Sequence, residues 1–256
     1  MNRIQIRAQR PDEVGTPTVD IDGGLFTTTR DCRSPHTLFA PLHYEPNYAY
    51  PLLIWLHGSG GDEHQLRRVM PLISMRNYVA GAPRGPLVDR SRSKGYDWGN
   101  SESEVAAATR CVFECVEAVG ERFHIAPQRV FLVGYESGGT MAFRIGLRHP
   151  EAFAGVLSVG GPFPTHGSPL ATIRQVRGLP LFIAQGRDSQ QYPLERTCEE
   201  LRLFHAAGLS VTLRQYPCGD ELNTQMLHDI DVWVMEQVTG VSSDTGGELS
   251  NSLELN

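Results

Sequence analysis

Apolar positions along the chain gather in short runs divided by polar stretches that carry glycine and proline. Pro51-Leu52-Leu53-Ile54-Trp55-Leu56-His57 is apolar at nearly every residue. An extended segment of that kind buries both faces, as a central parallel strand does. It leads straight into Gly58-Ser59-Gly60-Gly61 and a helical stretch from Asp62 to about Met75. The alternation then repeats. A short strand is predicted at Tyr78–Pro83, followed by a polar loop containing Tyr96-Asp97-Trp98. Ser101 and Glu104 have the spacing of a capping box and open a helix to about Val119. A strand at Arg129–Val133 passes through a sharp turn into a helix from about Ser137 to Arg148. Strands follow at Phe153–Val159, Leu181–Ala184 and Val211–Tyr216, with helices over about 193–206 and Met226–Val238. Short β-like runs, Thr37–Tyr44 among them, fill 18–44.

Strand and helix alternate at least four times, which predicts an α/β domain with a mostly parallel sheet and helices on both faces. Ligands of such sheets sit beyond the carboxyl ends of the strands. Attention therefore falls on residues 57–61, 83–98, 134–139, 160–167, 186–193 and 217–221. Residues 1–17 read as a loose leader, 18–239 as the domain, and 240–256 as a disordered Ser/Gly/Asp/Glu-rich tail.

Composition narrows the chemistry. The chain has 256 residues, 40% hydrophobic and 20% charged, with a formal charge of −6. It can bury a sizeable core, and the acidic balance argues against nucleic acid and against a polybasic membrane anchor. Lys94 is the only lysine, so Schiff-base chemistry and a phosphate-binding GK[ST] loop have almost no raw material. No apolar run is long enough to span a bilayer, and the first residues lack the apolar stretch of a signal peptide. Five cysteines without a CxxC pair read as reduced thiols in a cytoplasmic protein; Cys111 and Cys115, four apart on a predicted helix, read as core packing.

Three strand ends carry motifs. Leu56-His57-Gly58-Ser59-Gly60-Gly61 lets backbone N–H groups approach a ligand oxygen. Val130-Phe131-Leu132-Val133-Gly134-Tyr135-Glu136-Ser137-Gly138-Gly139-Thr140 has the shape of a nucleophile elbow, with glycines flanking a residue held on a strained strand-to-helix turn. Tyr216-Pro217-Cys218-Gly219-Asp220-Glu221 follows the last strand. Together with "APRGP" at Ala82–Pro86, the run "VFLVGYESGGTMAFRIGLRHPEAFAGVLSVGG" from Val130 to Gly161 and "GRDSQQYP" from Gly186, these motifs resemble the phospholipase/carboxylesterase (acyl-protein thioesterase-like) group of α/β-hydrolases. The likeness covers roughly residues 36–238. It implies an α/β-hydrolase fold and a serine hydrolase of carboxylic esters, thioesters or lysophospholipids, in a family that often dimerises.

The chain departs from that pattern at the reacting groups. In the family's G-x-S-x-G elbow the serine position is Glu136, and Ser137 takes the next place. The acid position is Ser189, with Asp188 one residue early. The "YPxGH" histidine position is Asp220, and His228 stands eight residues beyond it in a predicted helix. Backbone N–H groups near Ser59 and Ser137 remain as an oxyanion hole at a helix N-terminus, a site that favours anions. Glu136 is expected to turn its own carboxylate onto it. His57 is expected to brace the glycine turn, and Trp98, Tyr96 and Phe163 to border the pocket. Asp188, Asp220, Glu221 and Glu136 lack metal-loop spacing; no metal and no cofactor is expected.

Three functions remain open on the sequence. The first is a pseudoenzyme that binds a small acyl or anionic ligand, or a protein partner, in the old cleft. The second is a hydrolase using Glu136 as nucleophile or base, assisted by Asp220 or Asp188. The third is an ordinary esterase using Ser137.

Overall fold

A computed structural model of the chain describes residues 19–22, 24–29, 35–90, 93–165 and 173–241. The leader at 1–17 and nearly all of the tail lie outside the described residues. Along the chain run β1 (Val19–Asp22), β2 (Phe26–Thr29), β3 (His36–Phe39), β4 (Tyr50–Leu56), α1 (Gln65–Ile73), β5 (Val79–Pro83), β6 (Leu87–Arg90), β7 (Ser93–Tyr96), α2 (Glu102–Arg122), β8 (Ile125–Tyr135), α3 (Ser137–Arg148), β9 (Gly155–Val159), α4 (Ile173–Val176), β10 (Leu181–Gly186), α5 (Leu194–Ala207), β11 (Val211–Tyr216) and α6 (Thr224–Thr239).

Nine of these strands form one sheet in the order β1-β2-β3-β5-β4-β8-β9-β10-β11. The three pairings on the β1 side are antiparallel, and every pairing from β5 through β11 is parallel. The sheet is covered on both faces, which explains the unbroken apolar run of β4. Leu52, Ile54 and Leu56 enter one core cluster with Val105, Val112 and Cys115 of α2, Met141 of α3 and Phe204 of α5. Leu53 and Trp55 point the other way, to Leu66 and Met70 of α1 and Ile230 and Trp233 of α6. Successive side chains of a strand take opposite faces, so one run feeds two cores.

The helix starts follow local chemistry. Ser101 and Glu104 complete the expected capping box at α2, the Glu104 carboxylate taking the Ser101 N–H at 2.9 Å. At α6 the Asn223 side chain accepts the Gln225 and Met226 N–H groups, which moves the helix start two residues ahead of the predicted Met226. Three expectations need correction. The polar loop after β5 contains the β6–β7 hairpin. The β-like run at Thr37–Tyr44 ends at Phe39, because the chain turns at His43 with φ 58°. The strand expected from Phe153 starts at Gly155, since Pro150–Ala152 form a single 3-10 turn.

Parallel pairing brings the ends of β4, β8, β9, β10 and β11 to one edge, with Leu56 opposite Gly134, Tyr135 opposite Val159, and Gly186 opposite Tyr216. The loops that carry the three sequence motifs therefore meet at that edge.

Candidate active site

The chain leaves β8 and enters α3 within a single residue. Glu136 occupies that place at φ 48° and ψ −116°, a conformation L-residues rarely adopt. The turn is tight enough to exclude side chains nearby. A Cβ on Gly138 would lie 2.4 Å from the Leu56 carbonyl oxygen, and one on Gly134 would lie 2.1 Å from the Gly138 carbonyl oxygen. The strained residue is thus Glu136, while Ser137 is the first residue of a regular helix. The Ser137 hydroxyl is buried and meets no hydrogen-bond partner among the described residues.

Glu136 is half-buried, and its carboxyl group faces the Ser59 backbone and the Tyr135 hydroxyl. Its Oε2 lies 2.8 Å from where a Cβ on Gly58 would be, so the glycine turn and the carboxylate share one space. Burial raises its proton affinity above the ordinary carboxylate value, and the Asp220 and Asp97 charges add to the rise, while the two hydrogen bonds oppose it.

The other two expected positions also meet. Ser189 donates its hydroxyl to the Asp220 carboxylate and accepts the Tyr192 N–H at 2.9 Å. Asp220 additionally accepts N–H groups from Gln190 at 3.3 Å and Gln191 at 3.2 Å. The Ser189 hydroxyl, ahead of these amides, holds the Asp220 carboxyl below its usual range. The Tyr135 hydroxyl donates to the Asp220 carbonyl at 2.8 Å and so ties this loop to the elbow. Asp188 is not brought in: it is exposed and pairs with Arg187 at 3.3 Å. Among the described residues no group of three or more His, Cys, Asp or Glu side chains gathers to hold a metal.

His57 is fully buried, and both ring nitrogens are engaged. Nδ1 bonds the Gly58 carbonyl at 2.9 Å, and Nε2 accepts the Gly85 N–H at 2.9 Å. That pattern fixes a neutral imidazole, and burial lowers its proton affinity further. It braces the turn. Trp98 assists by donating its indole N–H to the His57 carbonyl at 2.8 Å. Asp97 is buried and accepts from the Ser59 hydroxyl at 2.9 Å and from the Trp98 N–H at 2.8 Å. His228 is exposed on α6, and His166 lies outside the described residues.

A cleft of about 420 Å³ opens beside the elbow, lined by Glu136, Ser137, Ser59, Asp97 and Trp98 on one part and by Phe163, Met141, Arg144 and Arg196 on another. Tyr96 does not line it; its hydroxyl meets Arg84 at 3.2 Å. The sequence reading missed Asn100, Asp97 and both arginines. Arg144 had a visible signal, a charge inside the apolar run Met141-Ala142-Phe143-Arg144-Ile145-Gly146-Leu147. Arg196 had none, because a surface arginine on an amphipathic helix looks ordinary.

No protein-family model matches the chain. In sequence it is 23% identical over 199 residues to "Putative hydrolase MhqD" of Bacillus subtilis (strain 168), an alignment spanning 76% of this chain and 98% of that one. It is 30% identical over 146 residues to "Putative esterase NocK" of Nocardia uniformis subsp. tsuyamanensis, spanning 53% of this chain and 39% of that one. In structure it resembles a carboxylesterase from Mesorhizobium loti with a TM-score of 0.65 at 18% identity, covering 85% of this chain and 98% of the other.

Proposed function

The chain has the α/β-hydrolase fold, and from that premise we propose that it is a pseudoenzyme: it keeps an ester hydrolase's cleft, binds a small acyl or anionic molecule there, and does not cleave it through a serine. One observation carries this reading. The residue on the strained elbow carries a carboxyl group, and that group faces the Ser59 backbone. Acyl transfer needs a backbone N–H donor open to the oxyanion that develops in the transition state. Here a resident carboxyl group stands before that donor.

The remaining positions agree. A serine nucleophile needs a base to take its proton. Ser137 has an unpartnered hydroxyl but no imidazole beside it among the described residues. Asp220, at the histidine position, has its proton affinity lowered by Ser189. A base near neutral pH needs the opposite shift. The cleft's volume of about 420 Å³ suits a metabolite-sized ligand and favours one over a protein partner.

The test is a fluorophosphonate probe together with p-nitrophenyl acetate. The expected result is no labelled serine and no burst of p-nitrophenol. Labelling of Ser137 would sink the reading. A second route has one observation in its favour, the burial that raises the proton affinity of Glu136 toward that of a working acid or base. Sustained hydrolysis that disappears in Glu136→Gln would establish that route instead.

A further inference from the structure

Arg144 is placed where a cation is expensive. It lies in the buried middle of α3, between Phe143 and Ile145, and is 8% exposed. Its Nη1 donates to the Asn100 carbonyl at 3.0 Å. Its Nε is buried and meets no acceptor among the described residues. The charges around it are divided: Arg148, one turn further along α3, repels it, while Glu102 attracts it at a distance but gives its carboxylate to Arg148 at 2.7 Å. An ion pair for Arg144 itself is absent among the described residues. Arg196, the other arginine of the cleft, differs: its Nε is paired with Glu200 at 3.0 Å, and it also donates to the Phe163 carbonyl at 3.0 Å.

A guanidinium taken from water without a paired counter-ion is held at a cost. A buried arginine kept in that state, and lining a cleft, points to an anion that completes it. A second group in the same cleft is also incomplete. The Ser137 hydroxyl is buried without a partner among the described residues, at the N-terminal turn of the helix that carries Arg144. The same cleft also carries the apolar side chains of Trp98, Met141 and Phe163.

We propose that Arg144 and Ser137 form a carboxylate-binding subsite in the cleft, taking an organic monocarboxylate whose apolar body lies against Trp98, Met141 and Phe163. The planar guanidinium offers parallel N–H donors to a carboxylate, and the hydroxyl adds a third. A monoanion fits better than a dianionic phosphate, because Glu136 and Asp97 line the same cavity and repel a second negative charge. This inference rests on the non-hydrolytic reading above, since it assigns the cleft to a free acid that is held and released unchanged.

The experiment compares 4-phenylbutyrate and hexanoate with their uncharged primary amides, by titration calorimetry and by the melting temperature of the full chain. Both carboxylates are expected to bind about tenfold or more tightly than their amides, and Arg144→Gln to abolish the preference. Arg144→Met carries a separate expectation that needs no ligand: the unliganded protein should melt higher, because the uncompensated charge is gone. Equal affinity for acid and amide, or no shift with either carboxylate, overturns the proposal. So does a lower melting temperature in Arg144→Met, which would assign the arginine a structural role. An equal Arg144-dependent shift with inorganic phosphate would overturn the carboxylate assignment. Turnover of p-nitrophenyl butyrate, by contrast, would overturn the non-hydrolytic reading and leave the acid–amide comparison to decide the subsite on its own.

Discussion

Glu136 concentrates the chemistry of this chain in one side chain. It combines a backbone at φ 48°, half-burial, and two nearby carboxylates that raise its proton affinity. The raised affinity has a consequence for stability. A carboxyl that binds its proton more tightly in the folded state than in the unfolded one favours folding only while protonated, and that contribution is lost as pH rises through the folded-state value. Above that value the ionised Glu136 therefore weakens the fold. Glu136→Gln is expected to raise the melting temperature at pH 8, because the amide keeps the shape of the side chain without the charge. The gain should shrink as pH falls through the carboxylate range and vanish below the unfolded-state value of about 4.3. Melting curves from pH 8 to pH 4 check it, and a gain independent of pH would remove the electrostatic explanation. Asp220 has the opposite sign. Its lowered affinity contributes stability above the unfolded-state value, lost as pH falls through the folded-state one.

At the scale of elements, the elbow depends on close approach of backbones more than on any side chain. Gly138 lies under the end of β4, where an added methyl would press on the Leu56 and His57 carbonyls at 2.4 and 2.5 Å. Neither neighbour can rotate away, since both are backbone. Gly138→Ala is expected to lose about 1–3 kcal/mol by overpacking, read from urea unfolding. The cap of α2 is a milder case. Ser101→Ala removes the acceptor of the Glu104 N–H at an exposed helix start, and the expected loss is about 1 kcal/mol. A change in ligand binding in that variant is not expected, because Ser101 does not line the cleft. Among the described residues no helix is long and apolar enough to cross a membrane.

At the scale of the whole molecule, three loops from distant parts of the chain meet at one sheet edge, and this suggests a reconstruction. Ser189 and Asp220 already share a hydrogen bond. Exchanging their roles by Ser189→Asp and Asp220→His should set a carboxylate against an imidazole in the order a serine hydrolase uses. Adding Glu136→Ser would clear the carboxyl group from before the Ser59 backbone and mount a hydroxyl on the elbow. The folded triple variant is expected to gain fluorophosphonate labelling at position 136 and measurable p-nitrophenyl acetate hydrolysis. No gain in a variant with an unchanged melting profile would show that the three positions do not converge. The alternation of strand and helix and the sharp turn at Glu136 were legible from one sequence. They are local: apolar runs, capping spacing and glycine-flanked turns express themselves within a dozen residues. The incomplete groups in the cleft were less legible. Arg144 stood out as a charge in an apolar helix, but nothing adjacent to it announced that Glu102 gives its carboxylate to Arg148.

By itself the sequence determined which elements form and that the chain turns sharply at Glu136, because those properties depend on neighbouring residues. Only the tertiary structure decided that Glu136 faces the Ser59 backbone, that Ser189 meets Asp220, and that Arg144 lines the cleft without an ion pair among the described residues. Desolvation and hydrogen bonding act between atoms within a few ångströms in space, and parallel strand pairing brings those atoms together from far apart in the chain.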